Sequence, residues 1–162
     1  PELPYELLTD GGDAARGKTI VNGHLAANCT ACHRVESDEG SEVGPMLRQI
    51  GAQRTKAELA ESLVEPSAKI ASGFGIETIV LKDGTTLAGS VLKENAKSLD
   101  FKLTDGKTQK VAVATIASRT PPVSVMPTML GILSPAEIRD VVAYLSGLKP
   151  KPGKAKPVKA KK

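Results

Sequence analysis

The sequence predicts a mainly helical domain interrupted by a small antiparallel β module, α+β overall, and three observations carry that prediction. Two capping boxes, Thr55-Lys-Ala-Glu58 and Ser134-Pro-Ala-Glu137, each open a run of aliphatic residues at helical spacing. Between them, from about Gly73, the apolar pattern changes from helical to alternating, and Asp83-Gly84, Glu94-Asn95 and Asp105-Gly106 punctuate the segment as turns. Aromatic side chains are scarce: Tyr5, Phe74, Phe101 and Tyr144 are the full set and there is no Trp. Aliphatics, or a bound apolar group, must therefore fill much of the interior.

Taken in order, residues 1–12 are rich in turn formers and are expected to wrap the surface. A first helix is expected from Asp13 towards Ala27, with Asp10 or Asp13 complementing the dipole at its N-terminus and Ala14, Ile20, Val21 and Leu25 as its inner stripe. Gly17 and Gly23 weaken it but let another helix approach closely. The segment Glu36 to Glu42 is a polar acidic loop. Thr55 opens a second helix carrying Leu59, Leu63 and Val64, ended near Glu65 because Pro66 disfavours helical geometry in the residue before it. Strands are expected at Ile76 to Leu81, Thr85 to Lys93, Leu99 to Leu103 and Lys110 to Ala114. Some 40 residues of antiparallel sheet are marginal alone, so this module must curl into a small barrel or lay one face on the helical part. The last helix follows Ser134, with Pro135 at its first turn and Ile138, Val141, Val142, Leu145 and Leu148 in a stripe; Gly147 and Pro150 stop it.

Charge narrows the functions on offer. The formal +4 comes from the end of the chain: residues 149–162 hold seven lysines and no acid, so Pro1 to Leu148 carries 15 basic and 18 acidic groups, a formal −3. A mildly acidic body argues against nucleic acid as the main partner. The Lys/Pro/Ala-rich tail, 149–162, is expected to be a disordered solvated segment, with docking on an acidic surface as the other reading. No apolar run approaches the ~18 residues needed to span a membrane. The start at Pro1 without Met is read as that of a mature or trimmed product.

The chemistry centres on Cys29-Thr-Ala-Cys32-His33, which holds both cysteines of the chain. Two cysteines separated by two residues can each form a thioether to one haem, and the histidine directly after the second is then carried under the iron as an axial ligand. A chance pair, a disulfide or a zinc site that also uses His24 are the plain alternatives, although adjacent Cys32 and His33 are awkward partners on one tetrahedral metal. Gly44-Pro45, a short way on, can lay an extended backbone against the same face, leaving the Pro45 carbonyl to accept a hydrogen bond from His33. Candidates for the second axial position are Met46, Met126, Met129 and His24. Met126 is favoured because Pro127 keeps the chain irregular there; Met46 lies on the His33 face, and Met129 is the rival.

These residues together resemble a class I c-type cytochrome: the CxxCH after a first helix, Gly44-Pro45 beyond it, and Met126-Pro127 before a helix containing Val142-Ala-Tyr-Leu145. Leu81-Lys-Asp-Gly84, Gly89-Ser-Val91 and Ile116-Ala-Ser-Arg119-Thr120 ahead of Met126 are similar to the haem-binding domain family of planctomycetes and verrucomicrobia. Relatives there often continue the Met-Pro with Glu-Gly-Leu, where this chain has Thr128-Met129-Leu130. The resemblance implies a cytochrome c fold made from residues 1–75 and 118–148, a β module inserted at 76–117, and one haem c bound by Cys29, Cys32, His33, Pro45 and Met126. It also implies an electron carrier rather than an enzyme, one that takes electrons from a dehydrogenase partner and works in the periplasm or another exported compartment, where haem attachment occurs. The alternative function is a haem enzyme or a gas or redox sensor with a labile sixth ligand.

Overall fold

A computed structural model describes residues 4–150; the lysine-rich tail beyond Pro150, and what is expected of it, lie outside the described residues. Helix α1 (Ala14–Gly23) begins where Asp13 turns its carboxylate onto the free backbone N–H groups of Ala15 and Arg16, at 2.8 and 2.9 Å. It ends at Gly23, short of Ala27, because His24 is already extended. The short helix α2 (Ile50–Gln53) leads into α3 (Lys56–Val64), and α4 (Pro135–Gly147) closes the described chain. Both α3 and α4 carry the full reciprocal capping box, Thr55 with Glu58 and Ser134 with Glu137. Among the elements not anticipated are α2 and a 3₁₀ turn at Tyr5–Leu8, too short to leave a periodic trace. That turn packs Leu8, 1% exposed, into the helical core, so the N-terminal segment does more than wrap the surface.

Helices α1 and α4 cross at Gly17. A methyl group there would collide with the Asp140 carbonyl and lie 2.9 Å from Cβ of Tyr144, so the lack of a side chain sets the interhelical distance. Gly23 has nothing near it and plays no such part. A buried carboxylate ties the crossing: Asp140 accepts from the Asp13 N–H at 2.6 Å and from the Arg16 guanidinium at 2.8 and 3.1 Å. Those donors, Arg16 first, hold its carboxyl below the usual range. Around this crossing Val21, Leu59, Leu63, Ile138, Val141 and Val142 form the helical core with Met129 and Leu133.

The remaining strands form one antiparallel sheet, β1 (Gly75–Leu81), β2 (Thr86–Glu94), β3 (Ser98–Leu103), β4 (Thr108–Ala112), β5 (Ile116–Arg119) and β6 (Val123–Ser124), in the order β4-β3-β2-β1-β5 with β6 also on β1. Asp83, Asn95 and Asp105 each accept a hydrogen bond from the backbone two residues on, which is why the hairpins turn there. Strands β4 and β5 stand at opposite ends of the hydrogen-bonded path, yet only the 3₁₀ turn Val113–Thr115 joins them. The sheet must therefore curl until its ends are neighbours, and the irregular register between Val91 and Lys93 adds to its twist. Inside it Ile79, Leu99, Phe101 and Val111 form a second core, separate from the helical one. Glu77, 4% exposed on β1, is paired with Arg119 at 2.9 Å, and Arg119 also reaches Glu94 at 2.7 Å.

Candidate haem site

The site is assembled on irregular chain between α1 and α2. Asn28, in the left-handed region at φ 42°, turns the chain into a 3₁₀ turn at Cys29–Ala31, and the His33 N–H donates to the Cys29 carbonyl at 2.9 Å. This brings both thiols and the imidazole onto one short loop. Neither cysteine is in a disulfide. Burial raises the Cys29 thiol above its ordinary value, while Cys32 is exposed. The acidic loop then returns the chain so that 44–47 runs beside 32–34, with the Gly44 N–H on the Cys32 carbonyl at 2.7 Å and the Leu47 N–H on the Arg34 carbonyl at 2.8 Å.

That return fixes the imidazole. Nδ1 of His33 lies 2.7 Å from the Pro45 carbonyl oxygen, which can only accept, so Nδ1 carries the proton and Nε2 keeps its lone pair for a metal. Gly44 lies under the ring: a Cβ at this position would come within 2.6 Å of Cε1. Any other residue there would displace the imidazole.

In front of the imidazole opens a cleft with about 1420 Å³ of empty space, its open mouth included. Cys29, Cys32 and His33 line one part of it, and the segment Ser124 to Pro127 lines another. Met46, Met126 and Met129 all reach its wall. Met126 is half-buried, whereas Met129 is 2% exposed within the helical core. His24 does not line the cleft; its Nδ1 accepts from the Ala27 N–H at 3.0 Å.

Several residues on the wall also belong to the helical core, among them Val21, Leu59, Leu63, Val141 and Leu145. The helical core thus borders a cleft large enough to take a flat apolar body. Arg54 and Lys69 add cations to the wall, and both pair with Glu58. The hydrogen bond from Lys69 is the chief cause that pulls the Glu58 carboxyl down from 4.5 to about 2. An apolar slot with paired thiols, an imidazole with a free Nε2, and cations able to meet carboxylates fits haem c. Sequence reasoning missed Arg54 and Lys69, because only folding brings them to the cleft.

Part of the chain is similar to a known family. No curated protein matches the chain. Among solved structures, SoxXA from P. pantotrophus is similar at 21% identity with a TM-score of 0.45, over 87% of this chain and 85% of that one. Residues 14–80 match the cytochrome c family; the match takes in Cys29, Cys32, His33 and Pro45 and stops inside β1, short of Met126. The similarity to the cytochrome c family thus spans less than half of the chain and takes in the paired cysteines and their histidine.

Proposed function

We propose that this protein is a monohaem electron carrier with the iron held between His33 and Met126. The observation that carries the reading is the pairing of His33, its Nδ1 proton committed to Pro45 at 2.7 Å, with a methionine loop lining the same cleft. Cys29 and Cys32 anchor the group covalently, and His33 supplies Nε2 to the iron. Met126 supplies a thioether, a ligand that favours the ferrous state and raises the potential. Bound haem supplies a one-electron ferric–ferrous couple. His33 and Met126 would together leave a bound haem no coordination site for a substrate, which supports a carrier over an enzyme or gas sensor.

Met129 acts as packing in this reading. Its side chain is buried and its backbone N–H donates to the Leu63 carbonyl at 2.8 Å, so it supports the loop from below. The curled sheet, read as an insertion between the Gly44-Pro45 loop and the methionine loop, holds no His or Met and serves packing or partner docking. Donor and acceptor are redox proteins, with a dehydrogenase as donor, in the periplasm or another exported compartment. Among the described residues no helix is long and apolar enough to cross a membrane.

Protein matured in an export-competent host tests the reading. Met126→Ala is expected to abolish the weak near-infrared sulfur-to-iron band of the oxidised protein and to lower its potential. Met129→Ala is expected to keep the band and to cost about 2–5 kcal/mol of stability. A band lost with Met129 and kept without Met126 would exchange the two assignments, and carbon monoxide binding by the reduced wild type would favour the enzyme or sensor.

A further inference from the structure

The methionine loop is fastened on both sides of Met126, upstream to β1 and to the turn that follows α3, downstream to the C-terminal end of α3 itself. Upstream, the Ser124 N–H donates to the Ser67 hydroxyl at 3.1 Å, while the Ser124 hydroxyl accepts from the Met126 N–H, also at 3.1 Å. Ser124 is in addition paired with Gly75 across the β1–β6 ladder. Downstream, the Thr128 hydroxyl donates to the Val64 carbonyl at 2.7 Å and accepts from the Leu130 N–H at 3.2 Å. The Met129 N–H takes the Leu63 carbonyl at 2.8 Å. Leu63 and Val64 are the last residues of α3, whose carbonyls have no partner within the helix. A helix end that must find donors, and an irregular loop that must be held, thus satisfy each other.

We infer that Ser124 and Thr128, with Ser67 behind Ser124, are positioning residues that clamp the loop on both flanks and so set how readily Met126 leaves the iron. The inference rests on the axial role of Met126 proposed above. None of the three touches the iron. Their effect is on the equilibrium between loop closed, with sulfur on iron, and loop open, in which an outside ligand takes that place. Opening breaks the Met126 sulfur–iron bond and frees the Met126 N–H from Ser124. With added imidazole, a nitrogen–iron bond forms in its place, and no electron is transferred. Each clamp hydrogen bond lost from the closed form raises the open population by about fivefold, the factor that one net hydrogen bond is worth.

Imidazole titration of the ferric holoprotein, followed by loss of the near-infrared band, reads this equilibrium directly. Ser124→Ala is expected to raise imidazole affinity about fivefold, Thr128→Val by a similar factor, and the two together by roughly 25-fold, since they act on separate flanks. Ser67→Ala is expected to act in the direction of Ser124→Ala, and Ser124→Thr, which keeps the hydroxyl, is expected to retain wild-type affinity. A residue that merely stabilised the fold would lower the melting temperature and leave the imidazole affinity alone. That result in Ser124→Ala and Thr128→Val, with the band still abolished by Met126→Ala, overturns the clamp while leaving the ligand assignment intact. A band that survives Met126→Ala overturns the ligand assignment and the clamp with it.

Discussion

The helical part and the curled sheet solve the problem of a core in opposite ways. In the sheet, Ile79, Leu99 and Phe101 are at most 1% exposed and enclosed by their own strands. In the helical part, Leu59, Leu63, Val141 and Leu145 are buried as residues, yet they border the cleft. The first core is complete from the sequence of 75–124. The second is a core with a slot in it, stabilised fully only when the slot is filled, since void-lining atoms lack contact partners on one side. Phe101 stands at the centre of the sheet core, Tyr144 is buried in the helical core, and Phe74 lines the cleft. A region that is to admit the proposed haem would leave part of its apolar surface for the haem to cover.

Removing the attachment points breaks the comparison most severely. Cys29→Ala with Cys32→Ala is expected to yield protein without covalent haem in which amide protection falls further in the helices than in the sheet. Haem staining after denaturing electrophoresis, with hydrogen exchange resolved between Val141 and Phe101, checks this; a colourless protein with protected helices would mean that the helical core stands without its cofactor.

The converse substitution is Phe101→Ala. Removing the centre of the sheet core is expected to cost the sheet about 3–5 kcal/mol, which a marginal module cannot absorb, while the haem absorption spectrum stays that of the wild type. Loss of the near-infrared band in this variant would show that the β1–β6 ladder at Ser124 depends on the sheet as a whole.

Gly17→Ala sharpens the contrast within the helices. The added methyl would meet the Asp140 carbonyl, so α1 and α4 must separate, at a cost of about 1–3 kcal/mol measured by thermal or denaturant unfolding. Gly23→Ala, with open space around it, is the control and is expected to be neutral or slightly stabilising.

The smallest effect concerns acid. Glu58 is held at about 2, below its ordinary 4.5, so its contribution to stability is full above pH 4.5 and is lost as the pH falls towards 2. Between those values the wild type is expected to lose more stability than Glu58→Gln, and the two curves should run parallel above pH 5. Unfolding midpoints measured from pH 2 to 7 decide it.

Local signals were legible from the sequence. The two capping boxes, the Asp-Gly turns, the alternation of Leu99-Asp-Phe-Lys-Leu103 and the Cys29–His33 run each act within a few residues, and a reader of the chain needs no partner to interpret them. The cysteine pair and its histidine sit on a single turn, so their proximity is a property of the local chain. Tertiary structure decided the rest. Strands β5 and β6 are short, and Ile116–Arg119 shows one half-buried residue followed by exposed ones, so only pairing with β1 makes them strands. Arg54 and Lys69 reach the cleft, Ser124 reaches Ser67 and Thr128 reaches Val64, the last two across 57 and 64 residues. Side chains so far apart leave no periodicity or spacing to read, because their meeting depends on how α3, the sheet root and the methionine loop pack.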